Sequence, residues 1–288
     1  MLKPVLLGTG FIGASLSEYL NSRNINLTTF NRAYLDYTDG NQLEYTLKSL
    51  SCNVLINCAG YTGSPNVDAC ELDKENCYFY NVSLPLKMAK ICEKLKIKFV
   101  NVSSGCIYTG YTKNFTEKDV PNFGIYNPDS SFYSKTKHIC ELNLASFDAI
   151  TLRIRMPFNS KALPKNLIYK ILKYDNIIDY PNSGTNTDNL NEFVHNLIVT
   201  NALNRITGPL NVVNPGVITG KKIADLLAKH GLKNPNWKVV NLNELNIKAQ
   251  RSNCVLDDQK AVSETLLMPS VDDVLEDTIV KFVANYKE

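Results

Sequence analysis

The sequence predicts an α/β fold: a doubly wound parallel sheet with a smaller mixed C-terminal lobe. Three observations predict it. Short apolar runs alternate with helical patterns through the first 156 of 288 residues. A glycine turn, Gly8-Thr9-Gly10-Phe11-Ile12-Gly13, separates the first apolar run from the first helical one. After Met156-Pro157 the alternation weakens. Strands joined through helices build right-handed crossover units, which lead to a parallel sheet covered on both faces.

Residues 4–7 (PVLL) are a continuous apolar run, as in a strand buried on both faces, and 11–21 follow with helical periodicity. Residues 25–30 and 42–50 repeat the strand–helix pair, as do 53–58 and 82–95. A strand at 99–103 precedes a long irregular stretch, 105–129, then a helix over 133–145 and a strand over 149–154. Beyond Pro157 the pattern gives helices at 168–174, 189–201, 223–230 and 271–286, and a last sheet strand at 210–213. Asn214-Pro215-Gly216 reads as a chain break. These elements divide the chain into a nucleotide-type domain, 1–156, and a substrate lobe, 157–288, with residues 186–214 returning to the first domain.

Composition excludes several classes. Hydrophobic residues at 44% and charged residues at 20% rule out a disordered chain. Basic side chains exceed acidic ones by 31 − 28 = 3, too few for a nucleic-acid partner. Mean hydropathy is −0.16, and no apolar run nears the roughly 18 residues of a membrane span. The stretch before the glycine turn is too short for a signal peptide, so a cytoplasmic protein is expected. The eight cysteines form no CxxC pair and there are three histidines. No metal is therefore expected, and most thiols are expected reduced and packed as small hydrophobes.

The glycine turn has the GxGxxG spacing between strand and helix that lets a backbone approach a pyrophosphate at a helix N-terminus. The second strand ends Phe30-Asn31-Arg32. An arginine there suits a 2′-phosphate, so NADPH is expected ahead of NADH. Asp36 and Asp39 lie just beyond, which leaves NAD open; Asp36-Tyr37 is read at the adenine edge, or Asp39 as the cap of the following helix. Tyr133 and Lys137 form a YxxxK pair, which shares one helix face. An ammonium beside a phenol is expected to lower its pKa and fit it for proton exchange with a carbonyl. Chance supplies about one such pair in a chain this rich in Tyr and Lys, and Tyr169 with Lys173 is taken as that chance copy. The first copy has a partner: Ser104 stands at the carboxyl end of a sheet strand, 29 residues upstream, where such sheets bind ligands.

These residues resemble the extended short-chain dehydrogenase/reductase superfamily. Within it, Asn57-Cys58-Ala59-Gly60-Tyr61-Thr62-Gly63-Ser64-Pro65-Asn66-Val67-Asp68 resembles a segment of plant UDP-rhamnose synthases. So do 104–107, 131–137, 152–157, 180–183 and 214–217, whereas 251–257 is similar to dTDP-4-dehydrorhamnose reductases. The chain is identified as a member of the UDP-4-keto-6-deoxyglucose 3,5-epimerase/4-reductases. The resemblance implies a Rossmann-type domain that binds NADPH through the glycine turn, Asn31, Arg32, Asp36, Tyr37, Cys58, Ala59, Gly60, Tyr61, Val102, Tyr133, Lys137 and Pro157. It implies a nucleotide-sugar substrate held by Thr62, Gly63, Asn66, Ser104, Gly105, Asn159 and Arg251, the last as a diphosphate clamp or else in an ion pair. Catalysis would fall to Tyr133, Lys137 and Ser104, with Cys106 and Lys170 exchanging protons at carbons 3 and 5.

Two departures are informative. The superfamily commonly has GxxGxxG, one residue longer than this turn. The 4,6-dehydratases carry an Asp-Glu pair where Gly105-Cys106 stands here, so no dehydratase activity is expected, and a separate 4,6-dehydratase would supply the keto sugar. By analogy the chain would form a homodimer. The rival readings are a 4-ketoreductase without epimerase activity and a non-catalytic NADPH-binding subunit. The stretch 108–133, rich in Tyr, is read as a lid over the pocket.

Overall fold

The computed structural model describes residues 2–64, 66–200 and 202–287. Pro65 and Asn201, which fall in segments singled out above, lie outside the described residues. The first half contains strands β1 (Pro4–Leu7), β2 (Thr28–Phe30), β3 (Val54–Asn57), β4 (Lys98–Ser104) and β5 (Ala149–Ile154). Between them lie helices α1 (Phe11–Ser22), α2 (Gly40–Ser49), α3 (Ala69–Leu72), α4 (Lys74–Tyr78), α5 (Leu84–Leu95) and α6 (Phe132–Leu144). The second half adds strands β6 (Pro157–Phe158), β7 (Asn176–Ile178), β8 (Asn182–Asn186), β9 (Gly208–Asn211), β10 (Asn214–Ile218) and β11 (Lys238–Val240). Its helices are α7 (Leu167–Lys173), α8 (Thr187–Val199), α9 (Gly220–Lys229), α10 (Gln259–Ser263) and α11 (Val271–Lys287).

Among the described residues, six parallel strands run in the order β2-β1-β3-β4-β5-β9. The order reverses beside β1, so the crevice at the carboxyl ends of β1 and β3 is the place where such sheets take ligands. One face is covered by α1 and α8, where Leu16 and Leu20 meet Leu190, Phe193 and Leu197. The other face packs under α2, α5 and α6, with Leu43, Leu47, Met88 and Leu144 in the core. A third core joins α7, α9 and α11 around Phe158, Ile223 and Phe282. There β10, β8 and β6 form a small mixed sheet.

The strand–helix alternation of the first half is present, and the fold class is the expected one. Local chemistry sets several boundaries. Asp39 caps α2, accepting from Asn41 and Gln42 amides, so it serves the helix. The helix expected from residue 82 is preceded by α3, α4 and a π-helical turn, Phe79–Ser83. Two expectations are corrected. Asn214-Pro215-Gly216 does not break the chain; it opens edge strand β10, whose register shifts at the bulge where Gly216 takes φ +101°. The stretch after β4 is anchored: Tyr108 and Phe115 are buried, stack at 4.6 Å and pack on Leu256. A lid hinged at Tyr108 would have to break that packing. No helix of the described residues is long and apolar enough to cross a membrane.

Candidate active site

The glycine turn is built for close approach. Gly8 sits at φ +91°, and a Cβ there would meet the Ala59 backbone nitrogen at 2.6 Å. A Cβ on Gly13 would stand 1.9 Å from the Gly8 carbonyl oxygen, so helix and turn pack with no room for a side chain. At Gly10, the residue preceding α1, a Cβ would meet nothing within 4 Å. The positive end of the helix therefore opens onto a cleft of about 320 Å³, lined by Thr9, Gly10, Phe11, Asn159, Lys161 and Lys165 among others. That open face, beside two glycines that cannot be replaced without clash, fits a dinucleotide pyrophosphate. Ile12 packs against the core behind the turn. Arg32 lies at the end of β2, exposed, with its guanidinium 4.9 Å over the Tyr80 ring and donating to the Tyr80 hydroxyl.

The second half of the site lies across the sheet end. Ser131 caps α6 by accepting from the Ser134 amide at 3.1 Å, which fixes where Tyr133 and Lys137 emerge. Both are nearly buried, and Lys137 Nζ stands 5.4 Å from the Tyr133 ring centroid. Contrary to the sequence expectation, the Tyr133 phenol is shifted up. Burial is the largest cause, Cys106 adds to it, and the Ser104 hydroxyl works the other way. Desolvation sets the direction, although a lysine ammonium faces the ring. Lys137 is shifted down by burial, with the surrounding thiols opposing. Ser104 Oγ accepts from the Cys106 amide at 3.1 Å, while its hydroxyl faces the Tyr133 phenol. Cys106 belongs to the same cluster as Tyr133, and its Sγ accepts from the Arg155 guanidinium at 3.1 Å.

Two cations bond residues of the segment that follows Tyr61, and a third stands near them. Lys165 Nζ donates to Thr62 Oγ1 at 3.0 Å and to the Gly63 carbonyl. Arg251 forms a two-pronged ion pair with Asp68, at 2.9 and 3.1 Å. Lys170, on α7, is shifted down, chiefly by burial and then by Lys165 and Arg251 nearby.

The sequence profile described as the RmlD substrate binding domain matches residues 5–283. The chain belongs to that family. It is 33% identical over 286 residues to a bifunctional dTDP-4-dehydrorhamnose 3,5-epimerase/dTDP-4-dehydrorhamnose reductase of Arabidopsis thaliana, covering 96% of this chain and 90% of that one. It is 32% identical over 294 residues to a trifunctional UDP-glucose 4,6-dehydratase/UDP-4-keto-6-deoxy-D-glucose 3,5-epimerase/UDP-4-keto-L-rhamnose-reductase of the same plant. That match covers 98% of this chain and 42% of the plant protein. The fold superposes on the UDP-rhamnose synthase of Acanthamoeba polyphaga mimivirus with a TM-score of 0.84 and 26% identity, covering 97% of this chain and 99% of that one. A dTDP-4-dehydrorhamnose reductase of Bacillus anthracis, solved with NADP, shares the fold at a TM-score of 0.82 and 21% identity, with 98% and 100% covered.

Within this family member, several residues sit differently from their expected places. Tyr37 is 4% exposed and packs in the core beneath α2 and α5, so its ring is not available to an adenine. Asp36 is exposed, with its carboxylate taken up by the Thr38 amide and hydroxyl. Asn31 accepts from the Ala33 and Tyr34 amides and so holds its own turn. Asn159, expected at the substrate, instead lines the cleft at the glycine turn and is tied to Asn166 and Thr187. Asn66 accepts from the Asp68 amide. Gly105 serves packing: a Cβ there would stand 2.5 Å from Leu256 and 3.2 Å from Arg155 Cδ. Burial pushes the Cys58 thiol up to about 12. Ala59 and Gly60 follow it past β3; a Cβ on Gly60 would come 3.6 Å from Lys137 Nζ. Val102, on β4, is partly buried against the core, and Pro157 opens β6. The second YxxxK lies on α7 in the other lobe, where Lys173 bonds Tyr286 at 2.7 Å.

Sequence reasoning missed Asn81, Lys165 and Arg155 as parts of the site. Asn81 lies on the π-helical turn and clamps Tyr61, accepting from its amide at 2.9 Å and donating to its carbonyl at 2.8 Å. No local signal marks it. Arg155 carries one: two arginines flanking Ile154 in an apolar strand demand buried partners.

Proposed function

We propose that this chain converts UDP-4-keto-6-deoxy-D-glucose to UDP-L-rhamnose by epimerising carbons 3 and 5 and then reducing carbon 4. The observation that carries the reading is the shared cluster of Cys106 and Tyr133, with Ser104 bonded to the Cys106 amide. A carbon base and an oxygen acid meet there in one cluster of side chains. The order follows from chemistry: the carbon 4 ketone acidifies the neighbouring C–H bonds, and reduction removes it.

Cys106, as thiolate, takes the protons at carbons 3 and 5, and the electron pair of each C–H bond moves into an enolate. Lys170 returns a proton on the opposite face; its downward shift makes its ammonium a readier proton donor than a free lysine. The glycine turn would hold NADPH, with Arg32 at its 2′-phosphate, and the bound cofactor would supply the hydride that carbon 4 takes up. Tyr133 gives its proton to the carbon 4 oxygen, Ser104 donates a hydrogen bond to the same oxygen, and Lys137 faces the resulting phenolate. Arg251, released from Asp68, would clamp the diphosphate. The same reading assigns residues 1–156 to the dinucleotide and the later lobe to the sugar.

The test is one reaction in deuterated water with the keto sugar and NADPH, read by NMR. UDP-rhamnose carrying deuterium at carbons 3 and 5 is expected. An undeuterated, unepimerised 6-deoxy sugar would leave a plain 4-ketoreductase and remove Cys106 and Lys170 from the mechanism.

A further inference from the structure

Two arginines sit two residues apart at the end of β5, both 1% exposed. Arg153 is neutralised in the ordinary way. Its guanidinium grips the Glu141 carboxylate with two hydrogen bonds. Arg155 has no carboxylate among the described residues. Its guanidinium donates to Cys106 Sγ at 3.1 Å, to Ser252 Oγ at 2.8 Å, to the Ser252 carbonyl at 3.1 Å and to Asn182 Oδ1. Its Nε has no partner among the described residues.

The fold places this cation with care. The Arg155 amide donates to Thr185 Oγ1 at 3.0 Å. The next residue, Met156, is held at φ +38°, a region that side-chain-bearing residues seldom enter. Gly105 lets the arginine stem pass beneath the Cys106 loop. A buried guanidinium needs an anion, and in its hydrogen-bond shell only the Cys106 thiol can become one. The other titratable groups facing it are Cys254 and Tyr111, and those facing Cys106 are Tyr133, Lys137 and Cys254.

We propose that Arg155 is the positioning residue of Cys106: it holds Sγ in the cluster beside Tyr133 and supplies the counter-charge of the thiolate. The proposal rests on the reading of Cys106 as the carbon base. It also explains the missing carboxylate. A carboxylate at Arg155 would satisfy the guanidinium permanently and leave no cation for the Cys106 sulfur.

The test reads Cys106 itself rather than turnover. Wild type, Arg155→Gln and Arg155→Lys are alkylated with iodoacetamide across neutral pH, and the Cys106 peptide is followed by mass spectrometry. At pH 7, Arg155→Gln is expected to slow alkylation about tenfold and to move its pH profile to the alkaline side, with Arg155→Lys restoring most of the rate. Identical profiles in wild type and a folded Arg155→Gln protein overturn the proposal. Should Arg155→Gln not fold, the ultraviolet thiolate absorbance of wild type against Cys106→Ser decides. A band at neutral pH that only wild type shows supports the ion pair, and no difference overturns it. A wild type that incorporates no deuterium, while Arg155→Gln still slows alkylation, removes the epimerase reading and leaves the ion pair standing.

Discussion

Exchanging two glycines of one turn for alanine separates the fold from the cofactor. In Gly13→Ala the new Cβ would lie 1.9 Å from the Gly8 carbonyl oxygen and 3.0 Å from the Cys58 Cβ. The first neighbour is backbone and cannot swing away, so β1 and α1 must move apart by about an ångström. Overpacking of this kind costs about 2–3 kcal/mol, roughly 5 °C of Tm in a chain of this size. In Gly10→Ala the Cβ meets nothing within 4 Å, and φ −73° with ψ −164° is open to alanine. That protein is expected to melt with wild type or to gain up to about 1 kcal/mol from a less flexible unfolded chain. Its Cβ nevertheless points where a pyrophosphate must approach, so NADPH binding falls at least about tenfold, or ~1.4 kcal/mol. The assay is a thermal melt without ligand, paired with NADPH fluorescence titration of both variants. A Gly13→Ala protein that melts with wild type would refute the steric argument. A Gly10→Ala protein that binds NADPH as tightly as wild type would refute the cradle.

Other outcomes follow from the same site. Tyr133→Phe should lower reduction by about 10²–10⁴-fold while deuterium still enters carbons 3 and 5, because the phenol acts only at the carbon 4 oxygen; loss of both activities together would contradict separate roles. Glu141→Gln leaves Arg153 buried without its anion and should cost about 3 kcal/mol, roughly 6 °C of Tm, so an unchanged melt would show that the pair is not needed. Lys170 is shifted down by burial, so the unfolded chain binds more protons than the folded one between the lowered value and the ordinary lysine value. Stability contributed by this group therefore rises with pH through that window. Lys170→Met should raise Tm at pH 7 and flatten the dependence up to pH 9; equal curves would place the ammonium in solvent. Arg251→Ala should raise KM for the nucleotide sugar more than it lowers kcat, and a change in kcat alone would argue against the clamp.

Much of this protein is written locally. The glycine spacing, the Tyr133–Lys137 interval and the Ser131 cap all act within a few residues, so strand, turn and helix can be read before any tertiary contact forms. Continuous apolar runs marked the buried parallel strands for the same reason. The small mixed sheet escaped such reading because its strands are short and polar: β8 is Asn-Ser-Gly-Thr-Asn and is buried only because its neighbours cover it. Tyr37 looked like a ligand contact and became core, since burial is a property of the packed sheet and not of a five-residue window.

The sequence by itself determined the sheet class, the glycine turn between β1 and α1, and the helix that presents the tyrosine. Only the tertiary structure decided that Cys106 meets Arg155, 49 residues away, and that Arg251 meets Asp68, 183 residues away. The physical reason is range. Backbone propensity and side-chain periodicity act over one or two turns, whereas the partner of a buried charge is chosen by whichever distant groups the folded core brings within hydrogen-bond reach.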